Sequence, residues 1–579
     1  MSALLFATAL FASAGLARVN VEKTTILPEG WAKSTDSVNR DDPIGFSIAM
    51  KQPKMGGLQK VLSNTLASVH LSLGDATMLG APRDNDVQDV MDWLASYGIT
   101  NVKHKGDWIN VHTTVGDAEK LLDATLEHYA FEDQKPVLRT TEYHIPDELE
   151  NAIRFVHPIA NFMRPTHRPD GFTWLDQSIF ARDTAPPCSA VVTPDCIRDT
   201  YNFHYEAPDG DPKTLLGIAG FLDQYANYQD SDEFIAKHLP EVSDAGYNYT
   251  VELVHGGEND QTLSKSGHEA ALDMDLALGL AYPAKLTYYS VGGRGVLLGA
   301  DGKPVPDAIS TNEPYIELLQ YFLDKPNDEI PSVLSVSYAD DEQSVPRPYA
   351  EKVCDMMGVL AARGMTIVIG GGDGGSMGGR KSSCLSNDGN NKKMTIPTFP
   401  STCPYVLTAG AVTNAESPKA ADFSSGGFSN YFKRPAWQDK AVEDYLKTLD
   451  GRLDGLYDPS MRAFPDISAV GTNILVIASG RPAVLQGTSA SAPIIASMLA
   501  VVNDARARKG KKSLGWVNEL FYSDKVRSIL RDITEGESLS CTFDGKQPGG
   551  WPAKEGWDAV TGLGVPKDFN DLLQVLVDA

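Results

Sequence analysis

The heptapeptide Gly487-Thr488-Ser489-Ala490-Ser491-Ala492-Pro493 runs into a long stretch, 494–507, with helical apolar spacing. Ser489 is therefore expected at or near a helix N-terminus, where unpaired N–H groups and the helix dipole favour developing negative charge. An ordinary helix cap uses the same residue types. A serine that attacks a carbonyl needs a base. Only four histidines follow residue 187: His204, His238, His255 and His268. Of these only His255-Gly256-Gly257 has a glycine-rich context, and it has no second histidine beside it, so an imidazole base has little support.

Carboxylates are the alternative. Glu269 and Asp273 lie four residues apart in a helical pattern that continues through Leu276 and Leu278, so both project from one face. Neighbouring carboxylates can share a proton, which drives their pKa values apart and lets one act as a base. A solvated acidic face would show the same spacing. A third acid, Asp373, sits in Gly370-Gly371-Gly372-Asp373-Gly374-Gly375 after the apolar run Met365–Ile369. That is the carboxyl edge expected of a strand, where ligands collect. A protonated Asp there could donate to an oxyanion. Phosphate binding is excluded, because Gly379 is followed by Arg380 and not by Lys-Ser/Thr.

The elements that must hold these residues are legible as periodicity. Leu215–Leu222, Val251–Val254, Ala284–Val291, Ser332–Tyr338 and Met365–Ile369 read as short strands. Between them Gly267–Leu280, Pro314–Leu323 and Pro348–Arg363 read as helices. Strands alternating with helices predict an α/β fold with a mostly parallel sheet flanked by helices. Residues 18–180 read instead as a smaller α+β unit, with helices over Asp86–Tyr97 and Ala118–Leu126 and a strand over Ile109–Thr114. Residues 163–187, with their repeated Pro, read as an exposed linker open to proteolysis.

Composition narrows the class. The chain has 579 residues, 42% of them hydrophobic, and a formal net charge of −25. That excludes a nucleic-acid binder, which needs basic surface. The charge is divided unevenly: residues 1–187 hold 17 Lys+Arg, 24 Asp+Glu and 7 His, and the remainder 34, 52 and 4. The histidines of the first part are expected to charge near pH ~6.5, weakening a packed N-terminal unit on acidification. Residues 3–17 (ALLFATALFASAGLA) resemble a signal peptide, 1–17, and imply export. No later apolar run approaches the ~18 residues a spanning helix requires, so no membrane segment is expected. All six cysteines follow residue 187 with no CxxC pair, which disfavours structural zinc. Asn248-Tyr249-Thr250 is the one clear glycosylation sequon.

The GTSASAP and EAALD motifs and the strand–GGGDGG turn, in that spacing and order, resemble the sedolisin family of serine-carboxyl peptidases. The resemblance covers nearly the whole chain and implies a subtilisin-like fold with Glu in place of His. It implies Glu269 as general base, Asp273 as its support, Asp373 in the oxyanion hole and Ser489 as nucleophile. It also implies an activation propeptide over 18–180 acting as intramolecular inhibitor, and a peptidase domain over 181–579. Asp532-Ile533 and Gly556-Trp557-Asp558 resemble the family's calcium loop. One structural Ca²⁺ would then take side-chain oxygens from Asp532 and Asp558 and carbonyls from Ile533 and Gly556, with Lys554 a further carbonyl candidate. Cys188–Cys196 matches a family disulfide and Cys384–Cys541 is a plausible second, leaving Cys354 and Cys403 as expected buried thiols. Ser335–Glu342, Phe423–Tyr431 and Gly455–Pro465 look most like secreted fungal tripeptidyl-peptidases, which free tripeptides from unblocked N-termini in acid. Asp340, Asp341 or Glu342 would meet the substrate ammonium. The implied partners are peptide and protein substrates, with the protein itself a monomer. Endopeptidase action and a catalytically silent binding protein are the alternatives, the second because the residues around Ala339 and Gly410 depart from the family pattern.

Overall fold

The computed structural model describes residues 17–27, 31–65, 69–131, 136–160, 162, 172–176, 186–206, 210–239, 242, 246–292, 314–379, 384–413 and 417–579. Residues 1–16 of the expected signal segment lie outside the described residues, as do 163–171 and 177–185 of the expected linker.

The N-terminal unit runs β1 (Pro43–Met50), α1 (Leu58–Thr65), α2 (Asp84–Ser96), β2 (Val102–Lys105), β3 (Trp108–Thr114), α3 (Val115–Leu122) and β4 (Ile153–His157). These four strands form one antiparallel sheet in the order β2-β3-β1-β4, beside smaller two- and three-stranded sheets of the same unit. Alternation along β3 sends Ile109 and Val111 into a core shared with Val90 and Leu94 of α2. Thr114 caps α3 by accepting from the Asp117 N–H at 3.2 Å. The helix stops short of the expected Leu126 because Asp123 takes the left-handed conformation, φ 45°. A short strand, β5 (Thr173–Trp174), follows.

The second unit runs β6 (Leu215–Gly220), β7 (Tyr249–Val254), α4 (His268–Leu280), β8 (Lys285–Val291), α5 (Tyr315–Leu323), β9 (Val333–Val336) and α6 (Arg347–Ala362). It continues through β10 (Thr366–Gly370), β11 (Leu407–Val412), β12 (Ile467–Val470), the hairpin β13 (Ile474–Ala478) and β14 (Arg481–Leu485), and the long helix α7 (Thr488–Arg508). Seven strands pair in parallel in the order β7-β8-β6-β9-β10-β11-β12. Strands of such a sheet are covered on both faces and read as continuous apolar runs, which is why they were visible in the sequence. Leu216 and Ile218 of β6 pack toward α4 and α7, whereas Ala219 joins the cluster of α5 and α6. From Glu269 to Leu280 every residue of α4 is buried, polar ones included. A helix buried all round lies inside the domain.

All six cysteines are paired: Cys188–Cys196, Cys354–Cys403 and Cys384–Cys541, with Cα separations of 5.7, 5.5 and 5.9 Å. The second corrects the expectation of buried thiols. Cys354 on α6 is buried in the same cluster as Cys403, which precedes β11, and a sequence separation of 49 hid that contact.

The N-terminal unit docks on the α5/α6 layer. Ala49, Trp108 and Phe155 join that layer's apolar cluster, and Leu58 and Leu62 pack on Ala361 and Ala362. Charge crosses the same contact: Arg154 meets Asp355 at 2.8 Å, Lys105 meets Asp324 at 2.6 Å, and the buried Lys352 pairs with Asp107 and donates to Gln52 at 3.0 Å.

His157, buried against Tyr349 with ring centroids 5.3 Å apart, is pushed down to about 3 by burial and then by Arg139. Burial likewise takes His70 to about 4. These two therefore stay neutral near pH ~6.5 while packed, unlike the uniform charging expected from composition. Exposed imidazoles bind protons that the packed ones refuse, so packing loses stability as pH falls from about 6.5 toward about 3. Scanning calorimetry is expected to show the transition of the N-terminal unit falling between pH 7 and 4, with a shallower fall in His157→Phe. An identical slope in the variant would assign the effect to other groups.

Candidate active site

The carboxyl edge of the sheet gathers the predicted residues. Ser489 lies in the first turn of α7, only 2% exposed. Its hydroxyl is 3.4 Å from the Ser337 carbonyl oxygen. Ser337, just beyond β9, donates from Oγ to Asp273 Oδ1 at 2.7 Å and lies 3.2 Å from the Ser489 carbonyl oxygen. Glu269 and Asp273 lie one turn apart on the wholly buried part of α4, 0% and 1% exposed. Burial raises the Glu269 carboxyl well above its ordinary value, and the Asp273 charge raises it further. The Ser489 and Ser337 hydroxyls beside it oppose that shift, and Asp373 adds to it. Burial raises Asp273 as well, against the Ser337 hydrogen bond. The two carboxyls titrate as a unit, and desolvation together with mutual repulsion keeps a proton on the pair.

Asp373 stands on the turn after β10, 3% exposed. Its Oδ1 accepts from the Thr488 N–H at 2.8 Å and the Thr488 hydroxyl at 2.9 Å. The Thr488 oxygen in turn accepts from the Gly372 N–H at 2.9 Å. This exchange ties the glycine turn to the residue before Ser489. A Cβ on Gly487 would come within 2.8 Å of Asp373 Oδ2, so a side chain there would push that carboxyl aside, and Gly372 takes φ +99°. The structure thus brings Glu269, Asp273, Asp373 and Ser489 into one dry cluster. His255 is elsewhere: it is exposed at the end of the edge strand β7, lining a 420 Å³ cavity against the N-terminal unit.

Residues that the sequence did not single out complete the site. Ser337 was visible only as part of a strand. Gln224 Oε1 accepts the Glu269 N–H at 3.1 Å and so caps α4 from another loop. Asp275, on α4, accepts from the Ile477 N–H at 2.8 Å, and Asp230 accepts from the Ser479 and Gly480 N–H groups at 2.9 and 2.7 Å. These two acids fasten the β13–β14 hairpin that leads into Ser489. The three acids offered for an ammonium group are all buried and bonded internally: Asp340 Oδ1 accepts the Asp341 N–H at 2.7 Å, Asp341 Oδ1 accepts the Gly379 N–H at 2.9 Å, and Glu342 is the most fully engaged. It accepts from Ser429 Oγ at 2.6 Å and Asn430 N–H at 2.5 Å, and burial pushes it up to about 7.

At the expected metal loop, Asp532 Oδ2 accepts from the Gly556 N–H at 2.7 Å and Asp558 Oδ2 from the Lys554 N–H at 3.1 Å. The two carboxylates therefore bracket one turn. Asp558 is fully buried and burial pushes its carboxyl up to about 7. Among the described residues no three His, Cys, Asp or Glu side chains group to hold a metal. Oxygen donors alone, two of them carboxylates, fit a hard cation that draws its remaining ligands from carbonyls.

Residues 29–162 match the Pro-kumamolisin activation domain, and residues 220–534 match the Subtilase family. The chain is 36% identical over 585 residues to a tripeptidyl-peptidase SED2 of Arthroderma otae, covering 96% of each. It is 35% identical to the tripeptidyl-peptidase sed4 of Aspergillus fumigatus, again covering 96% of each. A Pseudomonas sedolisin, a serine-carboxyl proteinase solved with pseudo-iodotyrostatin, superposes at 18% identity with a TM-score of 0.46, covering 67% of this chain and 98% of that one.

Removing the Ser337 hydroxyl takes a donor from Asp273, so the pair will hold its proton to higher pH. Labelling of Ser489 by a peptide aldehyde is expected to begin at higher pH in Ser337→Ala and to be about tenfold slower at a fixed acidic pH. A labelling profile that matches the unmodified protein would remove Ser337 from the cluster.

Proposed function

From a chain that belongs to the sedolisin family of serine peptidases, with an activation domain ahead of its catalytic part, we infer a secreted, acid-acting enzyme that releases tripeptides from free N-termini. The observation that carries the chemistry is the shared burial of Ser489, Glu269 and Asp273 around Ser337, whose hydroxyl donates to Asp273 and whose carbonyl faces the Ser489 hydroxyl. Ser489 Oγ attacks the scissile carbonyl while its proton passes to Glu269. Glu269 then returns that proton to the leaving amine, and the bond to nitrogen breaks. Water repeats the two transfers on the acyl-enzyme, releasing the acid and restoring Ser489. Asp273 is the positioning partner that spreads the pair's charge. Asp373, anchored through Oδ1 by Thr488, is read as the group that meets a developing oxyanion. Because the base is a carboxylate and not an imidazole, the enzyme works in acid.

The N-terminal unit, 18–180, is read as the removable inhibitor, and 181–579 as the peptidase domain. Export follows from the apolar 3–17 segment and is in keeping with three disulfides. Asn248 is exposed and open to glycosylation. Asp532 and Asp558, with the carbonyls of Ile533, Lys554 and Gly556, would hold one Ca²⁺. A bound Ca²⁺ supplies a fixed positive charge and pins the loop. Asp340 and Asp341, on the segment that follows Ser337, are the acids offered to a substrate ammonium. The protein is taken to act as a monomer.

Mass spectrometry of products from one peptide, unblocked and N-acetylated, at about pH 4 is the test. Tripeptides from only the unblocked form are expected, and cleavage is expected to fall at least about 10³-fold in Ser489→Ala and Glu269→Gln. Internal cleavage of both forms would identify an endopeptidase, and undiminished cleavage in either variant would overturn the site. Separately, chelation is expected to lower the melting temperature of the peptidase domain by several degrees, restored by Ca²⁺. A melting temperature indifferent to chelator would remove the ion.

A further inference from the structure

The strand β5 lies on the hairpin that leads into Ser489. Thr173 and Trp174 pair antiparallel with Val484 and Ala483 of β14, and the Leu175 N–H donates to the Pro482 carbonyl at 2.9 Å. Phe172 lies flat against His268, with ring centroids 4.0 Å apart and planes 6° apart. Trp174 meets the same imidazole edge-on at 5.8 Å and covers the Arg481 guanidinium at 4.4 Å. Residues two apart on a strand share a face, which is why both rings reach His268. His268 immediately precedes Glu269 on α4.

The pairing fixes a direction. β14 runs toward Gly487 and Ser489, so its antiparallel partner runs away from them. A polypeptide crossing Ser489 in the sense of β5 therefore lays its C-terminal portion, the part that leaves with the new amine, along β14. On the reading that residues up to 180 are removed, this edge and the His268 ring are vacated in the mature enzyme.

We propose that the β14 edge and His268 form an extended subsite for the leaving part of the substrate, which adds as an antiparallel strand and stacks an aromatic side chain on the imidazole. The occupant is a polypeptide with an aromatic residue a few positions beyond the scissile bond. Main-chain hydrogen bonds to β14 supply sequence-independent binding, and the ring supplies selection. Arg481 adds a cation for a second aromatic two residues on. The subsite rests on the peptidase reading above, and it favours long substrates over short ones.

The test uses mature enzyme and peptides that share the residues up to and just past the cleaved bond. One peptide ends there, one continues in Ala, and the rest place a single Phe at each of the next five positions. One Phe position is expected to raise kcat/KM about fivefold over the Ala peptide, through KM. That preference is expected to vanish in His268→Ala and to return in His268→Phe. Equal rates for every Phe peptide and the Ala peptide would overturn the subsite, as would an undiminished preference in His268→Ala. The wild-type ratio alone decides the matter if His268→Ala does not fold. No cleavage of even the shortest peptide would instead overturn the peptidase reading, and the subsite with it.

Discussion

Two carboxyls buried side by side constrain everything else in this molecule. Glu269 and Asp273 are taken out of water on one face of α4, where neither ionises easily and both cannot ionise together. Such an arrangement is costly unless the surroundings hold it rigid and supply donors. Ser337, at the end of β9, donates to Asp273; Gln224, in the loop after β6, accepts the Glu269 N–H and holds that turn of α4; and Ser489 of α7 stands beside Glu269. The parallel sheet is what makes that convergence possible, because its strands deliver their following loops to one edge. A helix buried on all sides would otherwise carry no acids, and α4 carries Glu269, Asp273 and Asp275.

The same logic of buried polar groups runs outward from the site. Asp373 does not stand alone but is clasped by Thr488, and Thr488 by Gly372, so the turn after β10 and the start of α7 move as one piece. Asp275 and Asp230 spend their carboxylates on N–H groups of the β13–β14 hairpin. Fixing that hairpin fixes the approach to Ser489, and it also presents the edge on which β5 lies. The approach to Ser489 and the seat of β5 therefore depend on the same two acids. The N-terminal unit docks on the opposite, α5/α6 layer through apolar contacts and the Lys352–Asp107 and Arg154–Asp355 pairs.

Much of this was legible in the residues themselves. The parallel strands announce themselves as short apolar runs because both their faces are covered. Ser489 and Asp373 stand in glycine-rich contexts that only a close backbone approach requires, and Gly487 meets Asp373 Oδ2 in just that way. Glu269 and Asp273 were harder, since a four-residue spacing of acids is also what a solvated helix shows. Their burial, and not their spacing, distinguishes them. What stayed hidden depends on contacts between residues distant in sequence. Ser337 is one serine in a strand end until the fold sets it 2.7 Å from Asp273. The Cys354–Cys403 bond, the internal commitment of Glu342 and the low proton affinity of His157 all arise from what packs around them, which no local pattern encodes.

The central claim is that the Glu269–Asp273 pair, dry and crowded, keeps a proton where ordinary carboxylates have lost theirs. Infrared difference spectroscopy of the protonated-carboxyl band reads that proton directly. The comparison is Ser489→Ala against the same protein carrying Glu269→Gln or Asp273→Asn, titrated from acid to neutral pH. The structure predicts a carboxyl band that persists well above the ordinary carboxylate range and disappears from the titration when either member of the pair is replaced. Identical titrations in all three proteins, with no band assignable to the pair above that range, would contradict it.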